Sequence, residues 1–206
     1  MTSQESHPKV IRESELHIAV TALANGGVLA YPTETVYGLG AAMSCRLAVK
    51  RIFDIKGRRA MKSLSFMVDS ITRARELSAD LSDTAVNLMS KYWPGPLTLV
   101  VNASASLPEY AVSQNGTIGL RCPDNRICNQ LVRQLDDAIS TTSANRSAEP
   151  PALSAQAVCT TLGRYIDVII DGGISILGVA STVLDVTGQQ PVLLRAGAIP
   201  FSEIIK

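Results

Sequence analysis

Tyr31–Gly40 reads YPTETVYGLG, and it concentrates side chains that can hold a polar ligand. A short apolar run, Val28–Ala30, turns at Pro32 and then presents Thr33, Glu34 and Thr35 ahead of Tyr37, Gly38 and Gly40. A strand ending in hydroxyls, an acid and glycines has the make-up of a ligand loop on a rigid scaffold. The plainer alternative is a tight turn whose hydroxyls only bend and cap the backbone. Taken alone, the ten residues favour the plainer reading. Lys56-Gly-Arg58 and Ser143-Ala-Asn145, further along the chain, tip the balance towards a ligand.

Lysine supplies a compact point charge and arginine a planar fork, so Lys56 and Arg58, leaving a helix end around a glycine, suit phosphate oxygens. Alone, a Lys-x-Arg pair is weak evidence. Thr141-Thr142-Ser143-Ala144-Asn145 adds uncharged donors and acceptors at a strand end, with turn chemistry as the competing explanation. Arg121 and Arg195 each close a predicted strand with apolar residues behind them. An arginine at the rim of a buried strand needs an anion, either a protein carboxylate or a ligand's, and the sequence leaves the two evenly matched. Gly38-Leu-Gly40 is half a dinucleotide fingerprint with Met43 where the third glycine belongs, and GxxxxGK[ST] does not occur. The histidines, His7 and His17, both precede the first predicted strand, so a Ser-His-Asp triad or a histidine-rich metal site falls far down the order. The four cysteines, 45, 122, 128 and 159, lack CxxC or zinc spacing and read as small buried hydrophobes or free thiols.

The elements that must carry these residues follow from composition and period. With 206 residues, 46% hydrophobic and 18% charged, the chain can bury a substantial core in one larger domain. Net charge is +1, but seven basic residues and a single acid (Asp54) lie between Arg46 and Lys62, a candidate phosphate patch or a solvated helix face. No apolar run reaches membrane-span length and the polar N-terminus has no signal core, so a cytoplasmic location is expected. Helices are predicted over 13–25, 45–56, 71–77, 83–92, 124–135 and 154–162. Strands are predicted over 28–31, 64–68, 97–102, 117–121, 138–142, 167–170, 181–186 and 192–195. Lys56 falls on the apolar side of its helix, where it must snorkel or point into a cleft. Irregular alternation of the two kinds of element predicts an α/β domain with a mixed, twisted sheet over 13–206, behind a flexible lead-in over 1–12.

YPTETVYGLG, KGR at 56–58, PGPLT at 94–98, GLRCP at 119–123, STTSAN at 140–145 and STVLD at 181–185 together resemble, in order and spacing, the YrdC/YciO family. The function-bearing members most similar in these motifs are the L-threonylcarbamoyladenylate synthases of the short, single-domain form. The resemblance implies a YrdC/RibB-like domain: a mixed, twisted sheet flanked by helices, with an open cationic cleft. It implies a nucleotidyltransferase that makes threonylcarbamoyl-AMP and pyrophosphate from L-threonine, bicarbonate and ATP. Mg²⁺ would be held largely by ATP, and tRNA would be reached through a downstream threonylcarbamoyl transferase in t6A modification. Carried over by position, Lys56 and Arg58 would meet the ATP phosphates as the catalytic cations. Thr117, Ser143, Asn145 and Arg195 would complete the nucleotide side. Thr33, Arg121, Thr141 and Ser181 would bind threonine, with Arg121 on its carboxylate, while Thr35 and Tyr37 shape the loop. Ser63 and Ala180 stand where many relatives have proline. An RNA-binding module, or a YciO-like paralogue with little synthase activity, is the alternative on the same fold.

Overall fold

Alternation sorts the core. Along 28–31, Val28 and Ala30 pack to one side of a sheet while Leu29 and Tyr31 pack to the other, as strand geometry requires. The computed structural model describes residues 7–57 and 64–205; Arg58 and Ser63 lie outside the described residues. The strands are β1 (Lys9–Arg12), β2 (Leu29–Tyr31), β3 (Gly38–Gly40), β4 (Ser65–Met67), β5 (Leu97–Asn102), β6 (Thr117–Arg121), β7 (Ile139–Ser143), β8 (Val168–Asp171), β9 (Thr182–Asp185) and β10 (Val192–Arg195). The helices are α1 (Leu16–Ala24), α2 (Arg46–Lys56), α3 (Ile71–Leu77), α4 (Asp83–Tyr92), α5 (Arg126–Leu135), α6 (Ala155–Leu162) and α7 (Phe201–Ile204). The strands lie side by side in the order β1-β8-β2-β3-β7-β4-β6-β5-β9-β10. Parallel pairs (β1 with β8, β2 with β8, β4 with β6, β5 with β9) mix with antiparallel ones, so the expected mixed sheet is what forms.

The two faces are covered unequally, and this makes the site. On one face α2, α3, α4, α6 and α7 contribute Ile52, Leu77, Met89, Val158 and Ile204 to a core that runs under most of the sheet. On the other, among the described residues, α1 and α5 cover only the half around β1, β8 and β2, with Leu16, Ala19 and Leu23 packing near Ile127, Leu131 and Val132. Asn125 caps α5 by accepting from the Cys128 amide at 3.2 Å. Residues of β4, β5, β6, β7 and β9 that alternate with this core therefore face the uncovered half of the sheet.

Three elements depart from the sequence-based expectation. Lys9–Arg12, expected within a flexible lead-in, pair with Val168–Asp171 as β1, with Ile11 buried as their apolar anchor. One buried residue in four gives too weak a pattern to read as a strand. Phe201–Ile204 adds a short terminal helix, with Ile204 buried. Gly38–Gly40, expected within a ligand loop or tight turn, is a strand that pairs with both β2 and β7. Its glycines are there for close approach: a Cβ on Gly38 would lie 2.6 Å from Tyr31 Cε2, and one on Gly40 would lie 2.2 Å from the Ser140 carbonyl oxygen. Neither neighbour can yield, one being a buried ring and the other backbone. Gly40→Ala is therefore expected to cost about 1–3 kcal/mol or more as overpacking, read from urea unfolding. An unchanged midpoint would show that β3 and β7 can separate.

Candidate functional site

Period two on the uncovered half brings the predicted residues together. Thr117, Gly119 and Arg121 share one face of β6, opposite the buried Ile118 and Leu120. In the same way Thr141 and Ser143 of β7 share a face with Ile139, and Thr98 of β5 lies opposite Leu97 and Leu99. A hollow of about 110 Å³ opens here, with Thr33, Thr35, Arg121, Thr141, Ser181 and Arg195 among its walls. Ser143 lines it as well, and Thr98 and Ser65 floor it from neighbouring strands. Thr117 is not brought into it. It begins the strand that Arg121 ends, roughly 13 Å away at about 3.3 Å per residue, and its hydroxyl meets Ser113 Oγ at 2.7 Å.

Arg121 is 8% exposed, and its anion is a protein carboxylate. Nη2 donates to Glu34 Oε1 at 2.7 Å and to Thr35 Oγ1 at 3.0 Å, while Nε donates to the Gly95 carbonyl at 3.3 Å. Breaking such a buried pair from one side leaves an uncompensated charge, at a cost of about 3–5 kcal/mol. Glu34, the partner of Arg121, is a residue the sequence reading leaves unassigned. The signal available was the need of Arg121 for an anion and the presence of one acid in the adjacent loop.

The loop itself is locked by Thr33. Its Oγ1 donates to the Val36 carbonyl at 2.6 Å and accepts from the Thr35 and Val36 amides at 3.2 Å each. With the Thr33 proton so committed, the 2.8 Å contact between the two threonine hydroxyls runs from Thr35 to Thr33. A relay from Arg121 through Thr35 and Thr33 to the Val36 carbonyl results. Thr33 lines the hollow, but its hydroxyl capacity is consumed by the turn, so loop shaping rather than ligand contact is its structural role. Thr35, expected only to shape the loop, instead touches Arg121 directly.

Among the residues expected to meet a nucleotide, Lys56 is 2% exposed at the end of α2. Its ammonium donates to the Ser143 carbonyl at 2.6 Å, the Asn145 carbonyl at 2.9 Å and Asn145 Oδ1 at 3.0 Å. Ser143 Oγ also donates to Asn145 Oδ1 at 2.6 Å. Lys56, Ser143 and Asn145 thus form one network, though of the three only Ser143 is among the described residues that line the hollow. Arg195 donates from Nε and Nη2 to the Ser181 carbonyl and from Nη2 to Ser181 Oγ at 2.9 Å, and that hydroxyl meets Thr98 Oγ1 at 2.8 Å. Arg58 lies outside the described residues.

Beneath the hollow, burial pushes the Tyr31 phenol up, so it stays protonated against the Thr141 hydroxyl. Burial, with Glu34 adding to it, likewise pushes up the Cys128 thiol, which donates to the Pro32 carbonyl at 3.2 Å. The Cys122 thiol is pushed up to about 11, by burial first and then by the charges of Asp69 and Glu34. Both thiols are therefore poor nucleophiles at neutral pH.

Among the described residues no helix is long and apolar enough to cross a membrane. A mixed sheet with two arginines among hydroxyls on its open face defines an α/β protein with a small polar hollow. The profile of the Sua5, YciO and YrdC proteins, described as "Telomere recombination", matches residues 21–197, and the chain belongs to that family. The threonylcarbamoyl-AMP synthase of Pyrococcus abyssi is 40% identical over 95% of this chain, which spans 58% of that protein's length. The crystal structure of P. abyssi Sua5 complexed with L-threonine superposes with a TM-score of 0.91 at 38% identity, over 97% of this chain and 60% of that one. Escherichia coli YciO superposes at 0.85 with 26% identity, over 94% and 96% of the two chains.

The elevated Cys122 thiol has a consequence for stability. A group held protonated by the fold costs nothing below its ordinary value of 9.0 and progressively destabilises the fold as pH rises from there towards 11. Unfolding free energies at about pH 8 and about pH 11 are expected to fall more in the parent chain than in Cys122→Ala. Equal losses would place the burden on other groups.

Proposed function

We propose that the chain is an L-threonylcarbamoyladenylate synthase, a nucleotidyltransferase that uses L-threonine, bicarbonate and ATP. The observation that carries this reading is the convergence of Arg121, Thr141, Ser181 and Arg195 on one small hollow whose described walls hold neither cysteine nor histidine. Relatives named threonylcarbamoyl-AMP synthases, and a Sua5 structure holding L-threonine, support it.

In this reading the threonine carboxylate takes the open side of Arg121. Its amine and bicarbonate condense to a carbamate with loss of water. A carbamate oxygen then attacks the α-phosphorus of ATP, and pyrophosphate leaves. No step requires a covalent protein nucleophile. The need is to hold two anionic reactants together, and correct placement is worth about 7–11 kcal/mol of a barrier. At about 110 Å³ the hollow is small against the roughly 300–1,000 Å³ of common ligand pockets, so it suits the amino acid, with the nucleotide on the open sheet beside it. Arg195 would then act on the nucleotide by direct charge, and Lys56 by shaping the Ser143–Asn145 segment, with Arg58 in the phosphate-binding role that the resemblance implies.

Hydroxyls and arginines are poor ligands for Mg²⁺, and Glu34 is engaged by Arg121, so this donor set accords with an ion carried on the nucleotide's own oxygens. Such an ion would offset charge on the departing pyrophosphate. The product would supply t6A modification of tRNA through a downstream transferase in the cytoplasm.

Pyrophosphate release with ATP and bicarbonate is expected to depend on L-threonine. L-serine, lacking one methyl, should be about 10- to 200-fold poorer. Arg121→Ala should raise the KM for threonine at least about 30-fold while leaving ATP binding measurable, since it removes one partner of a buried charge pair. Equal loss of both substrates would refute this division of the site. Release that ignores threonine would remove the synthase reading itself and favour a YciO-like protein.

A further inference from the structure

We infer that Glu34 is a positioning residue: it clamps one edge of Arg121 so that the guanidinium presents Nη1 to the carboxylate of an amino-acid ligand. The inference rests on the synthase reading for the identity of that ligand. A guanidinium offers five N–H donors in a rigid plane. The Gly95 carbonyl takes Nε, while Glu34 Oε1 and Thr35 Oγ1 take Nη2. Among the described residues nothing engages Nη1, although Arg121 lines the hollow. Holding one edge of a planar group fixes the direction of the opposite edge, so Glu34 sets where the remaining donors point.

The clamp is itself held from behind. The Glu34 carbonyl accepts the Leu177 amide at 2.9 Å, the Thr35 carbonyl accepts the Gly178 amide at 2.9 Å, and the Thr33 carbonyl accepts Ser175 Oγ at 2.8 Å. The Gly95 amide donates to the Cys122 carbonyl at 2.8 Å, fixing the second jaw against the residue that follows Arg121. Both partners of the ion pair are largely buried, with side-chain exposures of 10% and 13%, so little solvent competes for the geometry. Glu34 Oε2 is buried with no hydrogen-bond partner among the described residues. A carboxylate retained with one oxygen unsatisfied is costly as a purely structural brace. Glu34 offsets the charge of Arg121, so the direction of the guanidinium rather than its net charge draws the ligand's carboxylate.

Two simple pictures of Glu34 therefore disagree in sign. If it merely shields Arg121, removing its charge should tighten threonine binding; if it positions Arg121, removal should weaken it. Calorimetric titration of the folded chain with L-threonine decides between them. Glu34→Gln is expected to weaken threonine about 10- to 100-fold, the worth of a charge-assisted hydrogen bond, while ATP binding stays within about twofold. Glu34→Asp should recover part of the loss, and the Glu34→Gln effect should vanish in an Arg121→Ala background, as coupling through one partner demands. Unchanged or tighter threonine binding in Glu34→Gln, or the same loss without Arg121, overturns the inference. Should the parent chain bind no threonine, the synthase reading fails, and a ligand-independent measurement still tests the clamp. Nuclear magnetic resonance of the Arg121 side chain should show slowly exchanging guanidinium N–H signals that collapse in Glu34→Gln. Signals that persist there refute the clamp.

Discussion

A buried cation must be answered by oxygens, and the site is organised by that requirement at Lys56 and Arg121. Leaving such a charge unanswered in a protein interior costs several kcal/mol, more than most single contacts contribute to a fold. Lys56 meets the demand with two backbone carbonyls and the Asn145 side chain, so the end of α2 is fastened to the segment that follows β7. Arg121 meets it with Glu34, Thr35 and the Gly95 carbonyl, which draws the loop after β2 and the loop before β5 onto the end of β6. Loops from opposite parts of the chain converge because the charges they answer sit on a helix and a strand already fixed by the core.

The unequal covering of the sheet supplies the space. Five helices contribute to the core on one face, while α1 and α5 cover only part of the other. Strand periodicity then turns Ser65, Thr98, Arg121, Thr141 and Ser143 towards the uncovered half. These are the polar members of strands whose alternate residues are buried, so one pattern builds the core and exposes the site. Val192 and Leu194 on β10 show what that face looks like beyond the hollow: exposed apolar side chains, with Leu193 packed on the covered side.

Much of this was legible in the sequence, because buried strands and amphipathic helices carry strong periods. Lys56 on the apolar side of α2 was legible as a lysine that must snorkel or enter a cleft, and the structure directs it to carbonyls. Arg121 and Arg195 were legible as strand-end arginines in need of an anion, but which anion was not: the answer for Arg121 comes from Glu34, 87 residues earlier in the chain. Long-range pairings of that kind leave no local period. β1 was missed because an edge strand with a single buried residue resembles any polar segment. β3 was missed because paired glycines signal a turn, and only the crowding by Tyr31 and the Ser140 carbonyl shows that they serve a strand.

The hydroxyls make the final distinction between holding a ligand and holding the loop that holds it. Thr33 and Ser181 both line the hollow, and composition alone makes them equivalent. Thr33 Oγ1 already donates one bond and accepts from two amides and from Thr35, so nothing remains for a ligand without dismantling the turn. Ser181 Oγ exchanges a bond with Thr98 and accepts from Arg195, a side chain that a bound anion could recruit in its place. A hydroxyl whose partners are backbone groups is part of the scaffold, whereas one whose partners are side chains can be re-partnered at small cost. In the proposed reading the ligand would meet Arg121 Nη1 and Ser181, with Arg195 beside them, while Thr33, Lys56 and Asn145 hold the surrounding segments in register.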